Sequence, residues 1–94
     1  MLVLILERVP PGLRGDLSRW MIEPKSGIFL GRMTARLRDK LWEKAVAGSQ
    51  GGACVQAWNS PTEQGFVVRT FGDTSRKIID LEGLHLVAIP SAST

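Results

Sequence analysis

The stretch LVLILERVPPGLRGDLSRWMIE, residues 2–23, sets the architecture, because it combines a strand, a break and a helix in one run. Residues 2–7 form a continuous apolar run closed by a carboxylate, which is typical of a strand buried on both faces. The two prolines that follow cannot continue strand pairing, but a proline fits the first turn of a helix. Residues 12–23 then carry apolar side chains at helical spacing: Leu13, Leu17, Trp20 and Met21. They predict an amphipathic helix that Pro24 ends.

The rest of the chain continues this alternation. Further strands are predicted at 27–31, 53–58, 66–71 and 84–89, and a second helix at 35–47. Thr34 is suited to cap the start of that helix, and Gly48 to end it. The pattern predicts the α/β (α+β) class, with two helices on a mainly antiparallel sheet, in one domain spanning 1–94. The ferredoxin-like order βαββαβ needs two strands between the helices, and only 27–31 is predicted there. Either the later hairpin joins the sheet in a related order or the chain is a variant.

The composition is that of a globular chain with a basic N-terminal half. Apolar residues make up 44% and charged residues 22%, and the net charge is +3. Residues 1–44 carry nine Lys/Arg against five acids, whereas residues 45–94 carry three against four. We therefore expect the basic half to bind an acidic partner such as nucleic acid. The alternative is a soluble basic domain whose charge serves no ligand.

Two features bear on the cellular compartment. The apolar start MLVLIL has no basic leader and is too short for a signal peptide or a membrane span. The single cysteine, Cys54, excludes an internal disulfide and suits a reducing cytosol. We expect a cytoplasmic protein that contacts no membrane, with Cys54 buried in a strand rather than acting as a nucleophile.

Glu7 is the strongest single candidate for chemistry. A carboxylate at the end of a buried strand is costly unless it is solvated, paired or bound to a metal. Oxygen donors suit Mg²⁺ or Mn²⁺, but metal-assisted phosphodiester hydrolysis usually needs several ligands. A two-fold dimer could supply them by bringing two copies of Glu7 together. In the alternative interpretation, Glu7 is solvated or paired with Arg8 or Arg14.

Basic residues recur every four positions near the second predicted helix: Arg32, Arg36, Lys40 and Lys44. On a helix they form one basic stripe, with Arg38 nearby, and such a stripe can follow a phosphate backbone. Asp39 and Glu43 would neutralise part of it. The alternative is an ordinary solvated helix face. Arg76 and Lys77 form a second, smaller basic pair, which by itself is typical of a loop.

The remaining aromatic and histidine residues are interpreted as structural where the pattern allows. Trp20 and Trp42 lie on or beside apolar helix stripes, so core packing is expected of both. Trp58 ends a strand, and its role stays open. His85 has no second ligand at metal-binding spacing and is expected to be structural. The sequence has no glycine-rich phosphate loop, no CxxC pair and no Ser/His/Asp set at a suggestive spacing.

Four segments together resemble one protein family: ExVPPxLRGxLxxWxxE, GxxxGxxxAxLRDxLWE, AWNSPTEQGFxxxTFG and DLEGLxLV. Each motif is weak by itself, but their joint order and spacing from about residue 2 to 89 are specific. They resemble the small CRISPR-adaptation protein, the Cas-two family, in its type I-E branch. The resemblance implies a ferredoxin-like sandwich in a symmetric homodimer. Residues 78–90 would be the C-terminal segment that is exchanged between subunits and binds the partner.

In the family that this chain resembles, the dimer is the centre of a complex with the CRISPR integrase subunit, the Cas-one protein. That complex captures short duplex DNA and inserts it into the CRISPR array, and the small dimer lies beneath the middle of the duplex. The resemblance therefore implies three partners: a second copy of the chain, the integrase subunit and double-stranded protospacer DNA. Many family members are also described as Mg²⁺-dependent endonucleases of RNA or DNA.

The resemblance also implies roles for individual residues. Arg14, Arg36 and Arg76 match family positions that meet DNA. Lys77 could compensate for a second arginine, whose position Ser75 takes. Together with the stripe, the nucleic-acid candidates are Arg14, Arg32, Arg36, Lys40, Arg76 and Lys77.

Two positions depart from the family pattern or vary within it. Gly12 stands where relatives can carry another arginine, so one contact would be missing. Glu7 matches the acidic position of the family, where many members have aspartate and the type I-E branch has glutamate. The extra methylene moves the carboxylate by about 1.5 Å, so a Mg²⁺ site built for aspartate need not survive.

These observations lead to two main hypotheses. In the first, the chain is a DNA-binding scaffold of the spacer-acquisition complex, and Glu7 is dispensable for that role. In the second, it is a Mg²⁺-dependent endonuclease in which paired Glu7 carboxylates hold the metal as the catalytic site. The sequence offers one acid per chain there and no plausible general base, which disfavours the nuclease. A generic RNA-binding α/β domain is a third interpretation, but exposed aromatic pairs on central strands are lacking.

Overall fold

The computed structural model describes residues 1–72, which form a five-stranded antiparallel sheet with two helices on one face. The elements are β1 (Leu2–Leu6), α1 (Pro11–Ser18), β2 (Ile22–Lys25), β3 (Ile28–Gly31), α2 (Ala35–Ala47), β4 (Cys54–Asn59) and β5 (Phe66–Phe71). The strand order in the sheet is β2-β3-β1-β4-β5. The first six elements follow the order βαββαβ, so the predicted ferredoxin-like α+β class is confirmed, and β5 widens the sheet beside β4.

Several predictions lie outside the described residues. They concern the strand at 84–89, the exchanged segment at 78–90, and the side chains of Arg76, Lys77 and His85. Within residues 1–72, neither helix has the length and apolar character needed to cross a bilayer.

The first helix is shorter than the predicted range of 12–23, because it ends at Ser18. The amides of Trp20 and Met21 both donate to the carbonyl of Leu17 at 3.0 Å, which closes the last turn and redirects the chain. Met21 is buried after this turn, but Trp20 is 53% exposed. The expected core position of Trp20 is therefore wrong, because helical periodicity does not extend to it.

The prediction of one strand between the helices is also wrong, since β2 precedes β3 there. This strand has four residues, contains Pro24 and exposes 67% of Ile22, so it carries no alternating apolar pattern. An edge strand tolerates proline because half of its amides face away from the sheet. Within residues 1–72 the strand-order question is thus answered in favour of the ferredoxin-like order.

Gly27 closes the hairpin between β2 and β3 and attaches it to the end of β1. Its φ is +84°, a left-handed conformation that favours glycine. The amide of Leu6 donates to the Gly27 carbonyl at 2.8 Å. A Cβ at Gly27 would lie 2.6 Å from the carbonyl oxygen of Leu6, which is closer than such atoms can approach.

The sheet has two apolar faces of different kinds. On the helix-facing side, Leu4 pairs across β1 with Phe29 and Gln56, and the core there also includes Leu13, Leu17, Leu41, Ala45 and Cys54. We call the opposite side the outer face. Its apolar residues are Val3, Ile5, Ile28, Leu30, Val55, Ala57, Phe66 and Val68. Both helices of residues 1–72 pack on the other side of the sheet.

We expect Gly27→Ala to lower the free energy of unfolding by about 2–4 kcal/mol, because it combines a left-handed backbone with a clash against the Leu6 carbonyl. Gly15→Ala is the matched control, since it lies in α1 and a Cβ there would meet no neighbouring element within 4 Å. That control should be neutral or stabilising by up to about 1 kcal/mol. Urea denaturation measures both, and equal effects would contradict the close approach at Gly27.

Candidate nucleic-acid interface

The predicted basic stripe is only partly helical. Arg36 and Lys40 lie on α2 and are exposed, whereas Arg32 lies in the segment before the helix, which begins at Ala35. Within residues 1–72, the side chains of Arg32, Arg36 and Lys40 have no ion pair. Lys44 differs, because its Nζ lies 3.4 Å from Asp16 Oδ2 on α1. Three cations without an ion pair therefore lie around the first half of α2, and within residues 1–72 Arg8, Arg19 and Lys25 also have none.

Asp39 does not pair with Lys40, contrary to the expectation that it offsets part of the stripe. Its Oδ1 accepts from Arg38 Nε at 3.0 Å and from Arg69 Nη2 at 2.8 Å. The hydrogen bond from Arg38, followed by that from Arg69, lowers the pKa of Asp39 below its ordinary value. The Arg38 guanidinium also lies over the ring of Trp58, 3.9 Å from its centroid. Asp39 therefore pairs with Arg38 and Arg69, whose two positive charges its single negative charge offsets only in part, and it does not pair with Lys40.

A buried amide completes this network between α2 and the sheet. Gln56 on β4 is fully buried, and its Nε2 donates to the Arg38 carbonyl at 3.2 Å. Its Oε1 accepts from Arg69 Nε at 2.7 Å. Sequence reasoning missed this group, although a lone polar residue within the apolar run ACVQAW was a usable signal, because a buried amide needs partners. The network fixes the orientation of the helix that carries Arg36 and Lys40.

Glu7 extends the pairing of β1 with β4 beyond the last strand residues. Its amide donates to the Ala53 carbonyl at 2.9 Å, and its Oε1 accepts from the Ala53 amide at 2.9 Å. The expected partners Arg8 and Arg14 are not its partners here. Arg8 Nη1 donates instead to the Gln50 carbonyl at 3.2 Å. One oxygen of the Glu7 carboxylate therefore already has a structural role.

The described residues of one chain do not assemble a metal site around Glu7. Within residues 1–72 there is no group of three or more His, Cys, Asp or Glu side chains placed to hold a metal ion. A single carboxylate with one oxygen already bonded to an amide is a poor match for the several oxygen ligands that Mg²⁺ prefers. Mg²⁺ held between the Glu7 residues of two copies stays a prediction.

Cys54 is fully buried, as predicted. Burial is the main cause that raises the pKa of its thiol. A buried thiol with a raised pKa carries little thiolate and is a poor nucleophile. The residue therefore contributes to the core beneath α2 and not to the candidate interface.

Arg14 lies on α1 and pairs with Glu23 on β2. Its Nε is 3.0 Å from Glu23 Oε1, and its Nη2 is 3.1 Å from Glu23 Oε2. The same Oε2 accepts from the Gly27 amide at 2.9 Å. The backbone hydrogen bond from Gly27 is the largest cause that lowers the pKa of Glu23, and the Arg14 side chain adds to it against the opposing effect of desolvation. Arg14 thus sits at the corner where β1 ends and the hairpin closes.

Arg14 and Arg36 lie far apart. Lys44 pairs with Asp16, and a Cβ at Gly48 would lie 3.4 Å from Leu13 Cδ2, so the second half of α2 lies beside α1. Arg36 lies in the first turn of α2, which places it about 18 Å from Gly48 along the helix axis at 1.5 Å per residue. The two candidate arginines therefore offer separate contact points along one helical layer and not a single pocket.

One comparison with known proteins bears on this arrangement. A family model described as "CRISPR-associated protein (Cas_Cas2CT1978)" matches residues 1–86. The match includes all the residues of the interface described above.

We expect Glu7→Ala to lower the free energy of unfolding by about 1–3 kcal/mol, because the amide of buried Ala53 loses its acceptor. Glu7→Gln keeps an acceptor oxygen at the same length and should cost less than half as much. Chemical denaturation of the two variants checks this. Equal losses would show that the hydrogen bond to Ala53 contributes little.

The lowered pKa of Glu23 predicts a pH dependence. Its ordinary value is 4.5, and the folded value is lower, so its contribution to stability is present above pH 4.5 and is lost as the pH falls through the folded pKa. The difference in unfolding free energy between the wild type and Glu23→Gln should therefore shrink in acid. Urea titrations from neutral pH downward measure it. A difference that stays constant through this range would contradict the assignment.

Proposed function

Because the chain belongs to the Cas2 family of CRISPR-associated proteins, we propose that it is the scaffold subunit of a spacer-acquisition complex. In this proposal a homodimer binds captured duplex DNA and bridges dimers of the integrase subunit, in the cytoplasm of a prokaryotic cell. The chain supplies binding and spacing, and the integrase subunits perform strand transfer.

The exposed cations around the first half of α2 carry this proposal. Arg32, Arg36 and Lys40 have no acidic partner within residues 1–72, so their charge is available to phosphates. Such contacts release counterions and make the affinity fall steeply with salt, with little dependence on base sequence. Arg14, at the opposite end of the helical layer, provides a second point along the same duplex.

The outer face of the sheet supports the homodimer. Val3 and Ala57 form an apolar cluster there with Ile5, Leu30 and Phe66, and both helices of the described chain pack on the other side. Val3, Ile28, Val55 and Ala57 at its centre are buried in the single chain, whereas Val68 and Ile22 at its margins are 42% and 67% exposed, so the apolar surface open to a second copy lies at the margins. Sheets with one apolar face bury it against a second layer, and a two-fold axis lets the same face of another copy serve. We propose that two outer faces pack against each other.

The integrase subunit enters the proposal through family membership. The expected contact segment, 78–90, and the basic pair Arg76–Lys77 lie outside the described residues. We propose that 78–90 binds the integrase subunit and that Arg76 and Lys77 add phosphate contacts. The endonuclease remains the competing function, and it requires a metal site that two copies of Glu7 would have to complete.

The test measures assembly and DNA binding together. Size-exclusion chromatography with light scattering should show a dimer that joins a larger complex with the integrase subunit and a duplex.

Arg36→Ala and Lys40→Ala should each weaken duplex binding and reduce the slope of log K against log salt by about 0.9 for each phosphate that is no longer neutralised. Arg19→Ala, which removes another exposed cation just beyond the end of α1, should leave that slope nearly unchanged.

Glu7→Gln separates the scaffold from the nuclease, because it keeps the acceptor for Ala53 and removes the anionic ligand. Spacer insertion should survive this change. Loss of insertion in an assembled complex would overturn the scaffold-only role. A protein that ignores both partners but cleaves nucleic acid with Mg²⁺, and stops doing so in Glu7→Gln, would establish the nuclease instead.

A further inference from the structure

The N–H donors of Arg14 point in two directions. The Glu23 carboxylate accepts hydrogen bonds from the Nε–Nη2 edge of the guanidinium, from Nε at 3.0 Å and from Nη2 at 3.1 Å. Ser26 Oγ lies at the limit of contact with Nη2, at 3.5 Å. The N–H groups of Nη1 have no acceptor within residues 1–72, and the Arg14 side chain is 42% exposed. Arginine has five N–H donors in a rigid plane, so one edge can be held by protein while another binds a phosphate.

Glu23 is itself fixed to the backbone. Its Oε2 accepts from the Gly27 amide at 2.9 Å, and only 18% of its side chain is exposed. Gly27 in turn accepts from the amide of Leu6 at 2.8 Å. The guanidinium of Arg14 is therefore connected through three hydrogen-bonded steps, by way of Glu23 and Gly27, to the end of β1. A long side chain that would otherwise sample many rotamers is held in one place.

We propose that Glu23 is a positioning residue for nucleic-acid binding. Its carboxylate holds the Nε–Nη2 edge of the Arg14 guanidinium. The Nη1 edge then binds a phosphate without a change of the Arg14 rotamer. The proposal rests on the proposed function, because it assumes that Arg14 contacts DNA. In this role Glu23, an acid beside the DNA, strengthens binding. A carboxylate that merely competes with phosphate for Arg14 would weaken it.

The two roles of Glu23 predict opposite signs for Glu23→Gln. A glutamine offers one acceptor oxygen, so its amide nitrogen faces a donor of either Arg14 or Gly27, and the two-point hold is lost. The Arg14 side chain must then be ordered when DNA binds, so duplex affinity should fall roughly twofold to tenfold although a negative charge is removed. If Glu23 only competes with phosphate, affinity should rise.

Asp16→Asn controls for charge. Asp16 lies on the same helix as Arg14, is paired with Lys44 at 3.4 Å, and does not pair with Arg14. Its neutralisation should raise duplex affinity slightly, as the removal of any nearby acid does. Glu23→Asp is the second variant, because it keeps the charge but is too short to hold both Arg14 and Gly27. It should weaken binding as Glu23→Gln does, and thermal melts exclude unfolding as the cause.

Fluorescence anisotropy of the full chain with a labelled duplex, at several salt concentrations, measures these affinities. In the Arg14→Ala background, Glu23→Gln should no longer weaken binding and should behave like Asp16→Asn. The ¹⁵N signal of Arg14 Nε–H, assigned by its loss in Arg14→Lys, should stay protected from exchange when DNA is added.

The outcomes separate this inference from the proposed function. No change in affinity for Arg14→Ala would remove Arg14 from the interface and the positioning role with it, while duplex binding through α2 would stand. Weaker binding by Arg14→Ala, with unchanged or tighter binding by Glu23→Gln, would overturn the positioning role alone. Equal weakening by Glu23→Gln with and without Arg14 would also overturn it, because the effect would then be general to the hairpin.

Discussion

At Gly27 the backbone of the β2–β3 hairpin meets the end of β1 so closely that no side chain fits between them. This approach lets the Leu6 amide reach the Gly27 carbonyl and points the Gly27 amide at Glu23. Glu23 then holds Arg14 on α1. The end of the central strand, the hairpin and the first helix are therefore joined through one glycine. The position of the Arg14 guanidinium therefore depends on this backbone approach as well as on α1.

The positive surface of the protein arises from how its acids are used. Four acids of the described chain, Glu7, Asp16, Glu23 and Asp39, bond to groups of the chain itself. Those pairs neutralise some cations and stabilise contacts between elements, but within residues 1–72 they leave Arg32, Arg36 and Lys40 without an ion pair. The net charge of the whole chain, +3, does not show which cations are paired with an acid and which are not. The basic character of the α2 surface is a consequence of which pairs the fold permits.

Some features were beyond sequence reasoning for identifiable physical reasons. The strand β2 is short, exposed and contains Pro24, so its stability comes from pairing with β3 rather than from its own pattern. The turn after Ser18 separates Trp20 from the helix stripe, because the closing hydrogen bonds go to Leu17. The network of Gln56, Arg69 and Asp39 joins residues that are distant in the chain. Spacing along a sequence carries no information about such pairs.

By itself the sequence determined the presence of the two helices, the caps of the second helix, four of the described strands and the buried Cys54, because apolar periodicity and turn residues report local structure directly. It also determined the family, since four weak motifs in a fixed order are jointly specific. Only the tertiary structure decided that Glu7 bonds to Ala53, that Arg14 pairs with Glu23, and that Asp39 does not pair with Lys40. An ion pair depends on distance in three dimensions, and chain folding, not spacing in the sequence, sets that distance.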